Sequence, residues 1–150
     1  MQKEVKVRII KHITFLEGEL KDYDIFQTLT WKEYMIDRSK RRNVERWIEN
    51  IINSSIDIAK IVLTSEAIPL SDTYKGIVAS LSLVPDFAEK DMETLSNWVR
   101  LRNIISHEYL DIRWTSIKRF IAETKSLYEG FLIKVKGYIE KKEQENDLRI

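Results

Sequence analysis

The 150-residue sequence contains no cysteine, only two prolines and only four glycines. The lack of cysteine excludes a disulfide framework, a cysteine-ligated zinc site and a cysteine nucleophile. The scarcity of proline and glycine leaves few turn signals, which favours long helices over many short strands. No stretch approaches the roughly 18 apolar residues of a membrane-spanning helix. Lys and Arg number 25 against 24 Asp and Glu, so any nucleic acid must bind through a local patch rather than through bulk positive charge.

The composition is that of a globular chain, with 43% hydrophobic and 33% charged residues. A chain of this length buries roughly 70% of the surface that it exposes when unfolded, which is enough for a core without metals or disulfides. We therefore expect residues 1–150 to form a single domain. The first residues lack the apolar core of a signal peptide, so we expect a cytoplasmic protein with no membrane partner. Two histidines leave little room for a His-rich metal site, and we expect no metal and no cofactor.

Apolar residues recur at intervals of three and four along most of the chain, which is the spacing of amphipathic helices. The pattern predicts helices over residues 5–22 and, less regularly, 25–37. It is clearest over residues 44–62, in a helix that should end before Pro69 because the residue ahead of a proline disfavours the α region.

The rest of the chain continues the same pattern. Five to six helices with short connections predict an all-α fold, an antiparallel helical bundle in which residues 1–38 form an N-terminal helical hairpin. The next predicted helix is capped by Ser71 or Asp72 and ends near Pro85, and another begins at Asp86 and runs to about Tyr109. A last helix is predicted over 114–142, followed by a polar tail, 143–150, that frays.

One segment, residues 102–109, concentrates side chains with chemical potential, in the order Arg-Asn-Ile-Ile-Ser-His-Glu-Tyr. On an ideal helix, with about 100° per residue, its polar side chains share one arc, while Trp98, Leu101 and Ile105 face the core. The polar set consists of Arg102, Asn103, Ser106, His107 and Tyr109.

The residue types of this arc suit the cleavage of RNA. His107 can act as a general base or acid near neutral pH, and Arg102 can bind a phosphate and stabilise the charge that develops on it. The ribose 2′-OH attacks the adjacent phosphate in such a reaction, so neither a metal nor an external nucleophile is required. The alternative is a surface arginine and a surface histidine without a catalytic role, since this spacing is common by chance.

The geometry of the arc favours two copies of the chain over one. Arg102 and His107 lie about 140° apart on an ideal helix, so a single copy aims them poorly at one phosphate. Leu95, Val99 and Leu110 flank the polar arc, and apolar residues on an outward face suggest contact with another surface. Because two-fold dimers are the commonest oligomers, we expect a homodimer.

The segment 102–109 resembles the Arg-x-x-x-x-His motif of HEPN-domain proteins and, more narrowly, the Arg-Asn-x-x-x-His-x-Tyr motif of HepT-like toxins. Residues 44–48 and 55–59 resemble the long helix of that family, and Pro69 followed by Thr73 and Tyr74 matches its order. The similarity covers roughly residues 40–125. The resemblance implies a helical bundle, a homodimer and a metal-independent ribonuclease site at the dimer interface.

The resemblance also gives individual residues expected functions. Arg102 and His107 match the catalytic pair, and Asn103 matches the polar residue that follows the arginine. We expect Asn103, together with Ser106 of the polar arc, to support the site. Tyr109 matches the tyrosine that accepts AMP from a partner, a minimal nucleotidyltransferase (MNT) antitoxin. Adenylylation there would place negative charge beside the cleft and repel RNA. The alternative function is that of the non-catalytic HEPN proteins, which serve as the binding subunit of a nucleotidyltransferase.

A basic run near residue 40 is a second candidate for nucleic-acid contact. Its side chains either guide the RNA backbone or form a solvated start of a helix. We expect structural roles for Glu45 and Asp57, a surface position for His12, and buried positions for Trp47 and Trp98. The basic candidates are Lys40, Arg41, Arg42 and Arg46.

Overall fold

The computed structural model describes residues 1–148, and every regular element within that range is helical, as predicted. None of these helices is both long enough and apolar enough to cross a membrane. The elements are α1 (Lys3–Leu20), α2 (Tyr23–Phe26), α3 (Trp31–Ile36), α4 (Arg38–Ser65), α5 (Tyr74–Ala79), a 3-10 turn (Ser80–Leu83), α6 (Glu89–Trp98), α7 (Leu101–His107), α8 (Leu110–Glu123) and α9 (Lys125–Leu148).

Helix α4 is the central element of the bundle and contacts α1, α3, α5 and α7. Its apolar residues recur every three or four positions, and almost all of them are buried. Aromatic rings fill the space between α4, α2 and α8: Trp47 meets Tyr23 and Phe120 edge-on, with centroids 4.7 and 5.8 Å apart. Offset and edge-on pairs of this kind add to the stabilisation that burial of the rings provides.

The N-terminal third contains one long helix and two short ones, rather than a hairpin of two long helices. Helix α1 buries Ile9, Ile13 and Leu16 against the bundle. The predicted helix over 25–37 divides because Thr30 and Glu33 form a capping box that starts a new helix, α3.

The predicted helix over 86–109 is also two helices, α6 and α7. The chain tightens at the junction, where the Arg102 N–H donates to the Val99 carbonyl at 3.3 Å and the Asn103 N–H donates to the Arg100 carbonyl at 3.1 Å. These bonds span three residues instead of four, so the two helices do not share one continuous wheel. The 3-10 turn after α5 and the start of α6 at Glu89, three residues beyond the predicted Asp86, were likewise not anticipated.

The last predicted helix, over 114–142, is divided at Thr124 into α8 and α9. The Thr124 side chain is fully buried, donates to the Phe120 carbonyl at 2.6 Å and hydrogen-bonds the Tyr23 hydroxyl at 2.6 Å. A threonine that bonds the preceding turn is a recognised cause of helix bending. The predicted frayed tail is wrong for residues 143–148, which continue α9, whereas residues 149–150 lie outside the described residues.

The turn that precedes α5 is built from short polar side chains. Thr73, rather than the predicted Ser71 or Asp72, caps α5, accepting a hydrogen bond from the Gly76 N–H at 3.0 Å. Ser71 supports the cap by accepting from the Thr73 N–H at 3.3 Å. This turn fixes the start of α5 and therefore the position of Tyr74, the first residue of that helix.

Candidate active site

Helix α7 is a short helix anchored by two apolar side chains. Leu101 and Ile105 are 2% and 4% exposed, as the predicted core face requires. The opposite side presents the predicted polar set to solvent: Asn103, Ser106 and His107 are exposed, and Arg102 is half-buried. The helix therefore displays an amide, a hydroxyl and an imidazole on a rigid support.

The apolar flank expected beside this polar face is not on the surface. Leu95 is fully buried and Val99 is 7% exposed, both within the core of the same chain, and Leu110 is half-buried against that core. The prediction failed because it treated residues 95–110 as one helix, whereas the tight turn at Val99 and Arg100 rotates α7 relative to α6. These three residues therefore give no support for a dimer interface. Trp98, expected to be buried, is only half-buried, while Trp47 is buried as predicted.

Arg102 stacks on an aromatic ring of a neighbouring helix. Its guanidinium carbon lies 4.8 Å from the centroid of the Tyr74 ring, and the Lys60 Nζ lies 5.2 Å from the same centroid. Cations over a ring are attracted by the negative charge of its π face. Three elements, α4, α5 and α7, thus meet at Tyr74. The sequence singled out Tyr74 only as a point of family resemblance and did not indicate Lys60.

The turn between α7 and α8 carries His107 at one end and Tyr109 at the other. Glu108 and Tyr109 are both extended, and Tyr109 occupies the position that precedes α8. Arg113, one turn into α8, donates from its Nε to the Glu108 carbonyl oxygen at 2.7 Å. Its Nη1 also lies 3.2 Å from the Glu45 carboxylate on α4.

Glu45 therefore has the structural function that was predicted, with Arg113 as its basic partner. Tyr34 on α3 completes the network by donating its hydroxyl hydrogen to Glu45. Burial, followed by the hydrogen bond to the negative Glu45, raises the pKa of Tyr34 well above its usual value, so this hydroxyl stays protonated. The sequence did not indicate Arg113 as a site residue, although its position four residues after Tyr109 on a helix places the two within one turn.

Tyr109 stands out among the tyrosines by its exposure. All six tyrosines lie within the described residues, and only Tyr109, at 83%, and Tyr74, at 49%, are exposed. The other four are fully or almost fully buried, at 0–2%. Tyr109 is therefore the tyrosine whose hydroxyl a second protein can reach most freely.

The basic run at the start of α4 contains two side chains with partners in the chain, Lys40 and Arg41, and two exposed arginines, Arg42 and Arg46. Lys40 pairs with Glu33, and this bond, together with hydrogen bonds from Thr30, holds the pKa of Glu33 below its usual value. Arg41 donates from Nη1 to the Tyr34 and Met35 carbonyls, both at 3.1 Å, and so caps the end of α3. Arg42 and Arg46 are exposed. A function of this run in RNA binding stays a prediction. The two exposed arginines are its best candidates for contact with the RNA backbone.

A groove of about 550 Å³ lies beside the motif helix, between α6, α7 and α8. Its wall contains Trp98, Leu101 and Ile104 but none of the five predicted site residues. Arg102 and His107 therefore lie outside that groove. Within residues 1–148 there is no group of three or more His, Asp and Glu side chains that could hold a metal ion. The second histidine, His12, is half-buried on α1 and lies 4.0 Å from Asp57.

The fold and the site define a class: a helical-bundle protein that carries an Arg-Asn-x-x-Ser-His-x-Tyr set on one short exposed helix and the turn after it. Comparison with known families gives that class a name. Residues 9–135 match the family described as "Ribonuclease HepT-like", and the chain belongs to this HepT-like family. The match includes the whole of the predicted site and confirms the resemblance found in the sequence.

Solved structures share the fold at low sequence identity. A tri-AMPylated HEPN toxin of Shewanella oneidensis in complex with MNT antitoxin is 17% identical, with a TM-score of 0.75 over 91% of this chain and 99% of that chain. A toxin–antitoxin crystal structure with AMP-PNP is 16% identical, with a TM-score of 0.75 over 86% and 97%. YutE of Bacillus subtilis, described as a cytosolic protein of unknown function, is 18% identical, with a TM-score of 0.76 over 91% and 92%. A search of curated protein sequences gives no match.

Proposed function

We propose that this protein is the RNA-cleaving toxin of a toxin–antitoxin pair that acts in the cytoplasm. Arg102 and His107 would form a metal-independent endoribonuclease site, and modification of Tyr109 would switch that site off. The observation that carries the proposal is the display of both side chains on the exposed face of α7 in a chain of the HepT-like family. Two structural neighbours, both toxins solved with their antitoxins, support it.

The proposed reaction uses the RNA as its own nucleophile. A neutral His107 takes the proton from a ribose 2′-OH, and the 2′ oxygen attacks the adjacent phosphorus. The bond to the 5′ oxygen of the next nucleotide breaks, leaving a 2′,3′-cyclic phosphate and a 5′-hydroxyl end. Arg102 stabilises the negative charge that builds up on the phosphoryl oxygens, and Asn103 and Ser106 offer further hydrogen bonds to the phosphate.

We propose further that the working site is formed by two copies of the chain. Within α7, His107 lies five positions after Arg102, so the two side chains diverge by about 140° on an ideal helix. A two-fold axis close to α7 would bring the Arg102 of one copy towards the His107 of the other. It would also supply a second imidazole, which in its protonated form gives a proton to the leaving 5′ oxygen.

Regulation would act through Tyr109. Tyr109 is exposed and lies two residues after His107 in the chain. AMP attached to its hydroxyl would therefore place phosphate charge next to the catalytic pair. That charge would compete with RNA for Arg102. The proposed modifying partner is an MNT-type nucleotidyltransferase antitoxin, because the neighbouring toxin is described as tri-AMPylated and bound to such a protein.

The decisive experiment compares the two histidines of the chain. Purified protein should cleave single-stranded RNA in the presence of EDTA, and His107→Ala should abolish the cleavage. His12→Ala is the matched control and should cleave at the wild-type rate, because His12 lies on α1 beside Asp57 of α4 and is not part of the motif. Cleavage that survives His107→Ala would refute the assignment. A wild-type protein that binds a nucleotidyltransferase firmly but never cuts RNA would favour the non-catalytic binding subunit.

Two further measurements test the partner proposals. Sedimentation at micromolar concentration should give the mass of a dimer, and a monomer there would rule out the shared site. After co-expression with an MNT-type nucleotidyltransferase, mass spectrometry should find added AMP on Tyr109. Tyr109→Phe should lose this mass gain, whereas Tyr74→Phe, at the other exposed tyrosine, should keep it.

A further inference from the structure

The exposed ring of Tyr74 gathers two positive charges from different helices. Lys60 Nζ of α4 and Arg102 Cζ of α7 lie 5.2 and 4.8 Å from its centroid, so the two cations are within about 10 Å of each other. The ring is about half exposed, which leaves the cluster open to a ligand from solvent. Neighbouring phosphates of one nucleic-acid strand also lie within about 10 Å of each other.

Neither cation of this cluster is paired with a carboxylate. Within residues 1–148 neither Lys60 nor Arg102 makes an ion pair, whereas eight other lysine and arginine side chains do. Two like charges held close together repel, and a ring quadrupole attracts each of them only weakly. A bound anion would relieve that repulsion, so the arrangement favours a negatively charged ligand.

The backbone that carries the ring is held by the capping turn before α5. Tyr74 is the first residue of α5 and follows directly after Thr73, whose hydroxyl caps the helix. A Cβ at Gly76 would lie 2.8 Å from the Ser71 Cβ, so the capping turn and the helix are in close contact. An arginine side chain that stacks on this ring loses part of its freedom to move, which helps to direct its guanidinium.

We infer that Lys60, Tyr74 and Arg102 form a phosphate-binding subsite for the RNA strand. Tyr74 is a positioning residue that holds the Arg102 guanidinium towards the scissile phosphate, and Lys60 binds a neighbouring phosphate of the same strand. The inference rests on the proposed ribonuclease function for the identity of the strand. It adds two residues, from α4 and α5, to a site that the motif confines to α7 and the turn after it.

The first test measures binding without cleavage. A fluorescent 2′-O-methyl RNA keeps its phosphates but lacks the attacking hydroxyl, so its affinity for the full-length protein is measurable whether or not the protein is a nuclease. Lys60→Gln should weaken binding by roughly 3- to 10-fold and should reduce the slope of log affinity against log salt by about 0.7, the value for one phosphate contact. Lys60→Arg should restore most of both quantities.

The control for this test is Lys75, an exposed lysine that follows Tyr74 on α5. Lys75→Gln removes one positive charge next to Tyr74, as Lys60→Gln removes one from the cluster. It should change neither the affinity nor the salt slope. If Lys60→Gln and Lys75→Gln reduce binding equally, the effect is one of general charge and the subsite is refuted. A protein that binds AMP but not 2′-O-methyl RNA would also overturn the inference, since the cluster would then be a nucleotide site.

The second test separates positioning from stability. Tyr74→Leu removes the ring and should lower the single-turnover rate of cleavage roughly tenfold at saturating RNA. Tyr74→Phe keeps the π face and should recover most of that loss. An unchanged rate in Tyr74→Leu, at an unchanged melting temperature, contradicts the positioning function. If ordinary RNA is never cut but the Lys60 effects on binding appear, the proposed nuclease function fails while the phosphate subsite stands.

Discussion

Arg113 donates a hydrogen bond from its Nε to the main-chain carbonyl oxygen of Glu108, at 2.7 Å, across the turn that holds Tyr109. The same guanidinium reaches Glu45 on α4, so the turn between the proposed catalytic histidine and the proposed modification site is tied to the central helix. The Arg113 and Glu45 side chains are only 23% and 14% exposed, which limits the screening of their charges by water.

Replacement of Arg113 should weaken both the fold and the site. Arg113→Ala leaves the half-buried Glu45 without its cation, and we expect a loss of about 1–3 kcal/mol in the free energy of unfolding. Arg113→Lys should recover only part of this loss, because an ammonium group cannot reproduce the fork that bonds Glu108 and Glu45 together. Urea unfolding of each variant gives the comparison.

The control for Arg113 lies on the same helix. Arg119 is 66% exposed and pairs with Glu123 one turn away, so Arg119→Ala should cost less than about 1 kcal/mol. Cleavage measured well below the melting temperature should fall in Arg113→Ala more than in Arg119→Ala. Equal stabilities for the two variants would mean that the Arg113 network does not hold the turn.

Stability should decrease in acid partly through Glu66. Burial disfavours its charged form, but hydrogen bonds from Lys142 and Tyr138, both at 2.9 Å, outweigh that effect and hold the pKa of Glu66 below its usual value near 4.5. A depressed pKa contributes stability that is present above about pH 4.5 and is lost as the pH falls through the lower, folded-state value.

Glu66→Gln tests this contribution, because it keeps an acceptor for Tyr138 but removes the charge. We expect it to cost on the order of 1 kcal/mol at pH 7 and progressively less below pH 4.5. The urea midpoints of the wild type and of Glu66→Gln, measured between roughly pH 3 and pH 7, should therefore converge in acid. Curves that stay parallel over the whole range would contradict the assignment.

The end of α4 contains a conformation that suits glycine better than the residue present. Ala67 has a φ of 55° and closes the helix by donating to the Thr64 carbonyl, while the Ile68 N–H donates to the Leu63 carbonyl at 2.9 Å. This is the Schellman pattern, in which glycine is strongly favoured because a Cβ strains the left-handed region.

Ala67→Gly should therefore raise the free energy of unfolding by about 0.5–1 kcal/mol, since Ala67 is exposed and loses no packing. Ala122, exposed in the last turn of α8, provides the opposite case, and Ala122→Gly should lower stability by up to about 1 kcal/mol. The sign of the two changes, read from urea unfolding, tests the assigned backbone conformation.

Two glycines should respond in opposite ways to the same substitution. A Cβ at Gly76 would lie 2.8 Å from the Ser71 Cβ and 2.9 Å from the Thr73 Oγ1, whereas a Cβ at Gly18 meets nothing within 4 Å. Gly76→Ala should lose roughly 1–3 kcal/mol and disturb the turn that places Tyr74. Gly18→Ala should gain about 0.5–1 kcal/mol, because alanine favours the interior of α1. Thermal unfolding measures both, and a stabilised Gly76→Ala would refute the close contact.

Much of the fold could be predicted from local pattern. The spacing of apolar residues predicted the helical class and the central helix α4, because a long amphipathic stripe carries the same signal wherever the helix packs. The helix breaks at Thr30, Val99 and Thr124 were missed. Their causes are a capping box, a local tightening and a buried threonine bonded to a distant tyrosine, which periodicity does not report.

The candidate site likewise has a part that the sequence predicted and a part that it did not. The sequence by itself determined which side chains are available on α7: an arginine, an asparagine, a serine, a histidine and a following tyrosine at fixed intervals on one segment. It also determined that Leu101 and Ile105 turn inwards, because hydrophobic burial acts on each residue of a helix face.

Only the tertiary structure decided the surroundings of that segment. It buried Leu95 and Val99 in the same chain, brought Lys60 and Tyr74 to Arg102, and linked Arg113 to Glu45 across 68 residues of sequence. The physical reason is that a break in a helix at a single residue changes the direction of the helix that follows it. A side chain on one helix therefore meets partners that no spacing along the chain records.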